Sequence, residues 1–266
     1  MIRTLVRPVR LFFIQAWFSY RALFAWSQPF NYFASKFGFP FFSMLLFVFM
    51  GKFVGLKDPI YIVMGNILLI PAANGIYGVS MTVGNERQFG ALSYLLGSPA
   101  PRAPLFLGRA LFEILDGFVE VLLALPVAIL IFRLDLARIN LPLALLCVLL
   151  IAVTTSGVGF LLGSITLVSR DGWMITSTLA VGMYILVGVN FPIELLPAFL
   201  RVVSFGLPMS RGLMAARLAL GGAGWAAVAP LFWGELLVGM IYTALGYGLF
   251  RLLERRSLVN GTLDSL

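Results

Sequence analysis

Six stretches of the chain, at 30–53, 61–83, 105–132, 141–167, 173–189 and 230–250, are predominantly apolar. Each approaches or exceeds the length of about 20 residues that a helix needs to cross the hydrocarbon core of a bilayer. The first is interrupted near one end by Lys36, Gly38 and Pro40. This pattern predicts an all-α integral membrane protein with six spans. Composition agrees, since 61% of residues are hydrophobic and 11% charged. A soluble domain carries charge on about a quarter of its residues.

The same composition excludes several chemistries. The chain has no histidine and one cysteine, Cys147, set inside an apolar run, so neither an intrachain disulfide nor a zinc site has ligands. The net charge of +8 comes from basic residues that are dispersed and fall mostly at the ends of apolar runs. That placement suits lipid headgroups and the positive-inside rule, not nucleic acid.

Ahead of the first run, 1–26 places Arg3, Arg7 and Arg10 on one helical face, with Leu5, Val9, Phe12 and Phe13 largely away from it. This predicts an amphipathic helix lying in the headgroup plane. Six spans put both termini on one side. The arginine clusters at the two ends, Arg3 to Arg21 and Arg251 to Arg256, set that side as cytosolic. The segment 190–224 is broken by Pro192, Pro197, Gly206 and Pro208, yet too apolar for a solvated loop. Two short helices, 194–204 and 209–220, dipping into the outer leaflet are expected there. No repeat or low-complexity tract divides the chain, so 1–266 reads as one membrane domain.

Within the third run Arg109, Glu113, Asp116 and Glu120 are spaced four, three and four apart, on one helical face. Ionisable groups inside a span are costly and mark function by default. Glu113, Asp116 and Glu120 either line a translocation path or pair structurally with neighbouring helices. Glu235, a turn inside the last run, is expected to pair with Arg201, Arg211 or Arg217.

Between the second and third runs, 85–104 carries Phe89, Leu92, Leu95 and Leu96 at i, i+3, i+6 and i+7, one apolar stripe closed by Gly97, Ser98 and Pro99. A helix this short is marginal alone in water and needs a groove to lie in. Glu86 and Arg87 at its start offer charge-assisted hydrogen bonds of both signs to a partner. In order, Glu86-Arg87, Gly90, Leu92, Leu95-Leu96, Ser98-Pro99 and Arg102 resemble the signature of the permease subunit of type-2 ATP-binding cassette exporters. Ala91 stands where that family usually has threonine, and Ser93 where an acid is common. The basic N-terminus, six runs and the broken segment with Pro192, Pro197, Pro208 and Arg217 extend the resemblance along most of the chain.

The resemblance implies that Glu86, Arg87, Phe89, Gly90, Leu92, Leu95, Leu96, Ser98, Pro99 and Arg102 form a cytosolic coupling helix against a separate ATPase. It implies an elbow helix at 1–26 and an outer gate at 190–224 bearing Pro192, Glu194, Pro197, Pro208 and Arg217. It further implies two permeases, identical or related, with two ATPase subunits in the inner (plasma) membrane, exporting a substrate. ATP and Mg would be bound by the partner. The only lysines are Lys36, Lys52 and Lys57, and Gly51-Lys52-Phe53 does not complete a phosphate-binding loop, so no cofactor is expected in this chain. From another class, an ion-coupled carrier or channel would use Glu113, Asp116 and Glu120 as a proton relay. The sequence shows no inverted repeat of broken helices to support that. A lipid-modifying enzyme lacks any catalytic set.

Overall fold

The computed structural model describes residues 10, 12–14, 17–18, 30, 34, 38–55, 60–82, 102–132, 139–166, 169 and 171–260. Among them there is no strand. Helix α1 (Phe39–Phe53) is followed by α2 (Ile60–Ala73), which continues through a π-helical stretch (Asn74–Gly78) to residue 82. Then come α3 (Arg102–Phe132), α4 (Leu141–Ile165) and α5 (Gly172–Leu186). A 3-10 turn (Ile193–Leu195) leads to α6 (Ala198–Gly206), α7 (Ser210–Leu220) and α8 (Trp225–Asn260).

Among the described residues, four helices are long and apolar enough to cross a membrane: Ile60–Thr82, Ala110–Phe132, Leu141–Ile165 and Trp225–Arg256. The first and fifth apolar runs yield helices of 15 residues each. At about 1.5 Å per residue, α5 by itself falls short of a hydrocarbon core of about 30 Å. Residues 30, 34 and 38, ahead of α1, are themselves helical, with Gly38 in the right-handed helical region and Pro40 in the first turn of α1. Helix α5 stops where Gly188 turns to φ 75°, a conformation that side chains disfavour.

Helix α4 is the hub, touching α2, α3, α5, α7 and α8. Its contacts depend on small residues, since in lipid no hydrophobic force drives helices together and close backbone approach must supply the attraction. A methyl at Gly159 would strike the Gly75 and Ile76 carbonyl oxygens of the π-helical stretch. One at Gly157 would meet Thr243 and the Gly239 carbonyl of α8. The broken segment does form two short helices, and α7 runs antiparallel beside the first turns of α4. At one end Asn140 N–H donates to the Ala219 carbonyl (3.0 Å) and Asn140 Nδ2 to Ala223 (3.2 Å). At the other, Gly212 lies against Ile151.

The outward faces of α3 and α8 are apolar: Leu122, Leu123, Leu130 and Ile131 on one, Leu237, Met240, Ile241 and Leu245 on the other, are all exposed. Of 1–26, the described residues 10, 12–14, 17 and 18 are helical, with Phe13, Trp17 and Phe18 exposed; the rest of that element lies outside the described residues.

Packing this close makes a sharp prediction. Gly159→Val lowers the thermal unfolding temperature of the detergent-solubilised chain, overpacking costing about 1–3 kcal/mol. Gly248→Ala, whose added methyl has nothing within 4 Å, leaves it unchanged or raises it.

Candidate functional site

Two polar constellations interrupt the apolar bundle. The first joins α2 to α3. In the π-helical stretch backbone bonds shift from i−4 to i−5, so carbonyls at its edge change partner. Pro71, one turn earlier, has already removed one N–H from the ladder. Asn74 enters this gap, its Nδ2 donating to the Ile70 carbonyl at 3.2 Å and to Glu120 Oε2 at 2.9 Å. Glu120 is 4% exposed and Asp116 9%. Gly117 brings α3 onto Asn74, with a hypothetical methyl 3.1 Å from the Asn74 Cβ. The Glu113 carboxylate lies against Gly78. Glu113, Asp116 and Glu120 therefore share one face of α3, as their spacing requires, and Glu113 and Glu120 meet α2 directly. The neighbouring α2–α5 contact is also polar, Ser80 and Thr176 sharing a hydrogen bond of 2.9 Å.

The second constellation holds the hairpin α6–α7. Arg217, near the end of α7, donates through Nη1 to the Tyr61 hydroxyl and to the Gly188 carbonyl (3.0 Å), and through Nη2 to Val189 (2.7 Å). Its guanidinium carbon lies 3.5 Å from the centre of the Tyr61 ring, within cation–π range. Tyr61 in turn donates to the Gly188 and Phe191 carbonyls at 3.3 and 3.2 Å. These carbonyls follow the C-terminus of α5, where the helix dipole favours a cation. Burial pulls the Arg217 pKa down to about 10, and Tyr61 and Glu194 act against that fall, so it stays charged at neutral pH. Asn66 reinforces the joint by donating to Asn190 Oδ1 at 2.8 Å.

At the start of α7 stands Glu235 of α8, with no solvent exposure. Its carboxylate accepts the backbone N–H of Met209, that of Gly212 (3.0 Å) and the Thr154 hydroxyl of α4 (2.8 Å). Thr154 lies about 21 Å along α4 from the Asn140 end, so α7 begins deep inside the bundle. A helix start leaves N–H groups without intrahelical partners. There a residue of another helix caps them. Met209 takes φ 84° to present its N–H, a conformation that costs a side-chain-bearing residue about 1–3 kcal/mol. Backbone N–H groups and Thr154 thus hold the Glu235 carboxylate directly, and Arg211, one of the three arginines expected to pair with it, adds an electrostatic attraction. Arg201 donates to the Glu194 and Leu196 carbonyls, Arg211 to Phe205, and Arg217 to the Tyr61 clamp.

The prolines expected at an outer gate fall where helices begin. Pro192 precedes the 3-10 turn that contains Glu194, Pro197 precedes α6, and Pro208 lies in the turn before α7. Of the residues expected to form a coupling helix, Glu86, Arg87, Phe89, Gly90, Leu92, Leu95, Leu96, Ser98 and Pro99 lie outside the described residues; Arg102 is the first residue of α3. The pair Asn66 and Asn74 escaped sequence reasoning. Two asparagines eight apart in an apolar run share a helical face, and that was the signal available. No group of three or more His, Cys, Asp or Glu able to hold a metal occurs among the described residues.

Removing the Arg217 guanidinium leaves several buried acceptors unpaired, each costing about 1–3 kcal/mol, whereas Tyr61→Phe removes hydrogen bonds worth about 1 kcal/mol each. Arg217→Leu therefore lowers the unfolding temperature more than Tyr61→Phe, with Arg217→Lys between them.

Compared with known proteins, residues 13–220 match the family model for the ABC-2 type transporter. No curated protein matches the chain. The match takes in α1 to α7, including the acidic face of α3 and both helices of the clamped hairpin. This chain belongs to the ABC-2 type transporter family, as a membrane permease.

Proposed function

We propose that the chain is the membrane-spanning subunit of an ATP-driven exporter, powered by a separate ATPase that docks on 85–104. The observation that supports this is where α2 ends and where α3 begins. The start of α2 is tied through Tyr61 to Gly188 and Arg217, at the hairpin end of the bundle. Its last described residue, Thr82, lies about 30 Å further along. Helix α2 therefore ends remote from the hairpin, and α3, which begins at Arg102, packs on it. A force on 85–104 acts on both helices together.

In this reading α1 and α5 complete six spans together with the four longer helices, 1–26 forms the elbow, and both termini are cytosolic in the inner membrane. The hairpin is a re-entrant outer gate, with Pro192, Glu194, Pro197 and Pro208 setting its turns and Arg217 its anchorage. Two permeases enclose the path. Glu113, Asp116 and Glu120 belong to the polar lining that opens where α2 and α3 separate. ATP and Mg reside in the two ATPase subunits, whose closure drives rigid-body rearrangement of the membrane domains.

Purification of the tagged chain from its native membranes in mild detergent brings down an ATP-hydrolysing subunit, and Leu92→Asp releases it. Reversal of charge at Glu86 weakens the same association. If the chain emerges alone and without ATPase activity, docking fails and the carboxylates of α3 support an ion-coupled carrier instead.

A further inference from the structure

The two helices of the hairpin are held very differently. Helix α7 is built into the bundle: Ser210, Gly212, Leu213, Ala215, Ala216, Ala219 and Leu220 are all buried. Its start is capped by Glu235, which also joins it to α4 through Thr154. Its far end is held by Asn140 and the Arg217 clamp. Both ends of α7 are thus tied to other elements of the bundle, the start to α8 and α4 and the far end to α4 and α2.

Helix α6 has the opposite character. Phe199 is 70% exposed and Val202 74%, and Leu195 just ahead of it is 73% exposed. Ser204 alone among its residues is buried. Its side-chain hydrogen bonds beyond its own turns stay within the hairpin: Ser210 Oγ donates to the Ser204 carbonyl (2.6 Å), Arg211 to Phe205, and Arg201 to the Glu194 and Leu196 carbonyls just ahead of it. Between the helices lie Leu207, Pro208 and Met209, the last at positive φ. Elements with few buried apolar contacts open at the lowest free energy.

We infer that the hairpin is a fixed strut and a hinged leaf: Glu235 is the positioning residue that fixes α7, and α6 swings about 207–209. This rests on the outer-gate reading and deepens it, because it locates the moving part in α6 with its apolar edge of Leu195, Phe199 and Val202. Opening then leaves the polar ends of α7 satisfied, while α6 exchanges one apolar surrounding for another. Movement of the whole hairpin would instead expose the Met209 and Gly212 N–H groups and the Glu235 carboxylate to an interior without water.

The test uses the full chain with Cys147→Ser, reconstituted in phospholipid vesicles and diluted with unlabelled chain so that only distances within one molecule are read. Spin labels are placed at Val202→Cys and Leu237→Cys in one sample, and at Leu218→Cys and Leu237→Cys in another; all three positions are exposed. Electron–electron resonance gives a single narrow distance for 218/237 and a broad or two-peaked one for 202/237. Glu235→Ala broadens 218/237, whereas Glu194→Gln leaves it narrow. Equal widths for the two wild-type pairs overturn the proposal, as does a 218/237 distance unmoved by Glu235→Ala. The wild-type comparison stands even where Glu235→Ala does not fold. Neither pair needs ATP or a partner, so failure here is distinct from failure of the ATPase to co-purify.

Discussion

A helix that ends inside an apolar interior must have its terminal backbone groups answered by the protein, because no water is there to do it. Helix α7 is that case, and much of the bundle is organised around it. Its first N–H groups face the Glu235 carboxylate, which lies fully buried among α4, α7 and α8. Burying a lone carboxylate costs several kcal/mol. Two backbone donors and a hydroxyl offset that cost here, so acid and helix end each satisfy the other's need. At the far end the problem is inverted: the carbonyls after α5 need donors, and the Arg217 fork supplies them. One short helix thereby joins α2, α4, α8 and the segment after α5, chiefly through hydrogen bonds that involve backbone groups.

The rest of the packing follows from the weakness of other forces in lipid. Glycines let α4 approach α2 and α8 to backbone contact, and a few hydrogen bonds between side chains fix the register. Asn74–Glu120 does this for α2 and α3, and Ser80–Thr176 for α2 and α5. The resulting bundle is polarised. One end gathers Tyr61, Asn140, Asn190 and Arg217; the chain leaves toward 83–101 at the other. The ATPase docking proposed for 85–104 would act at the end away from the clamped hairpin.

Much of this was legible in the residues. Length and apolarity located α2, α3, α4 and α8, and the prolines of 190–224 gave both α6 and α7 within a few residues of their ends. The acids of α3 share a face because their spacing compels it. Three features were not legible, each for a physical reason. Helix α5 is shorter than its apolar run because Gly188 follows it at positive φ, and hydropathy does not register where a backbone ladder stops. Glu235 feels the charge of Arg211, as expected, but opposite charge is only one way to satisfy a carboxylate. A helix start buried beside it is another, visible only once α7 is placed. The Tyr61–Arg217 contact joins residues 156 positions apart, beyond the reach of any local pattern.

The central claim is that 83–101 and the hairpin lie on opposite faces of the membrane. Side-specific labelling of single cysteines tests it most directly, using Ser98→Cys and Leu195→Cys in the Cys147→Ser chain in intact cells. An impermeant maleimide added from outside labels position 195 and not 98, and position 98 reacts only after the membrane is opened. Labelling of both positions from the same side would contradict the account.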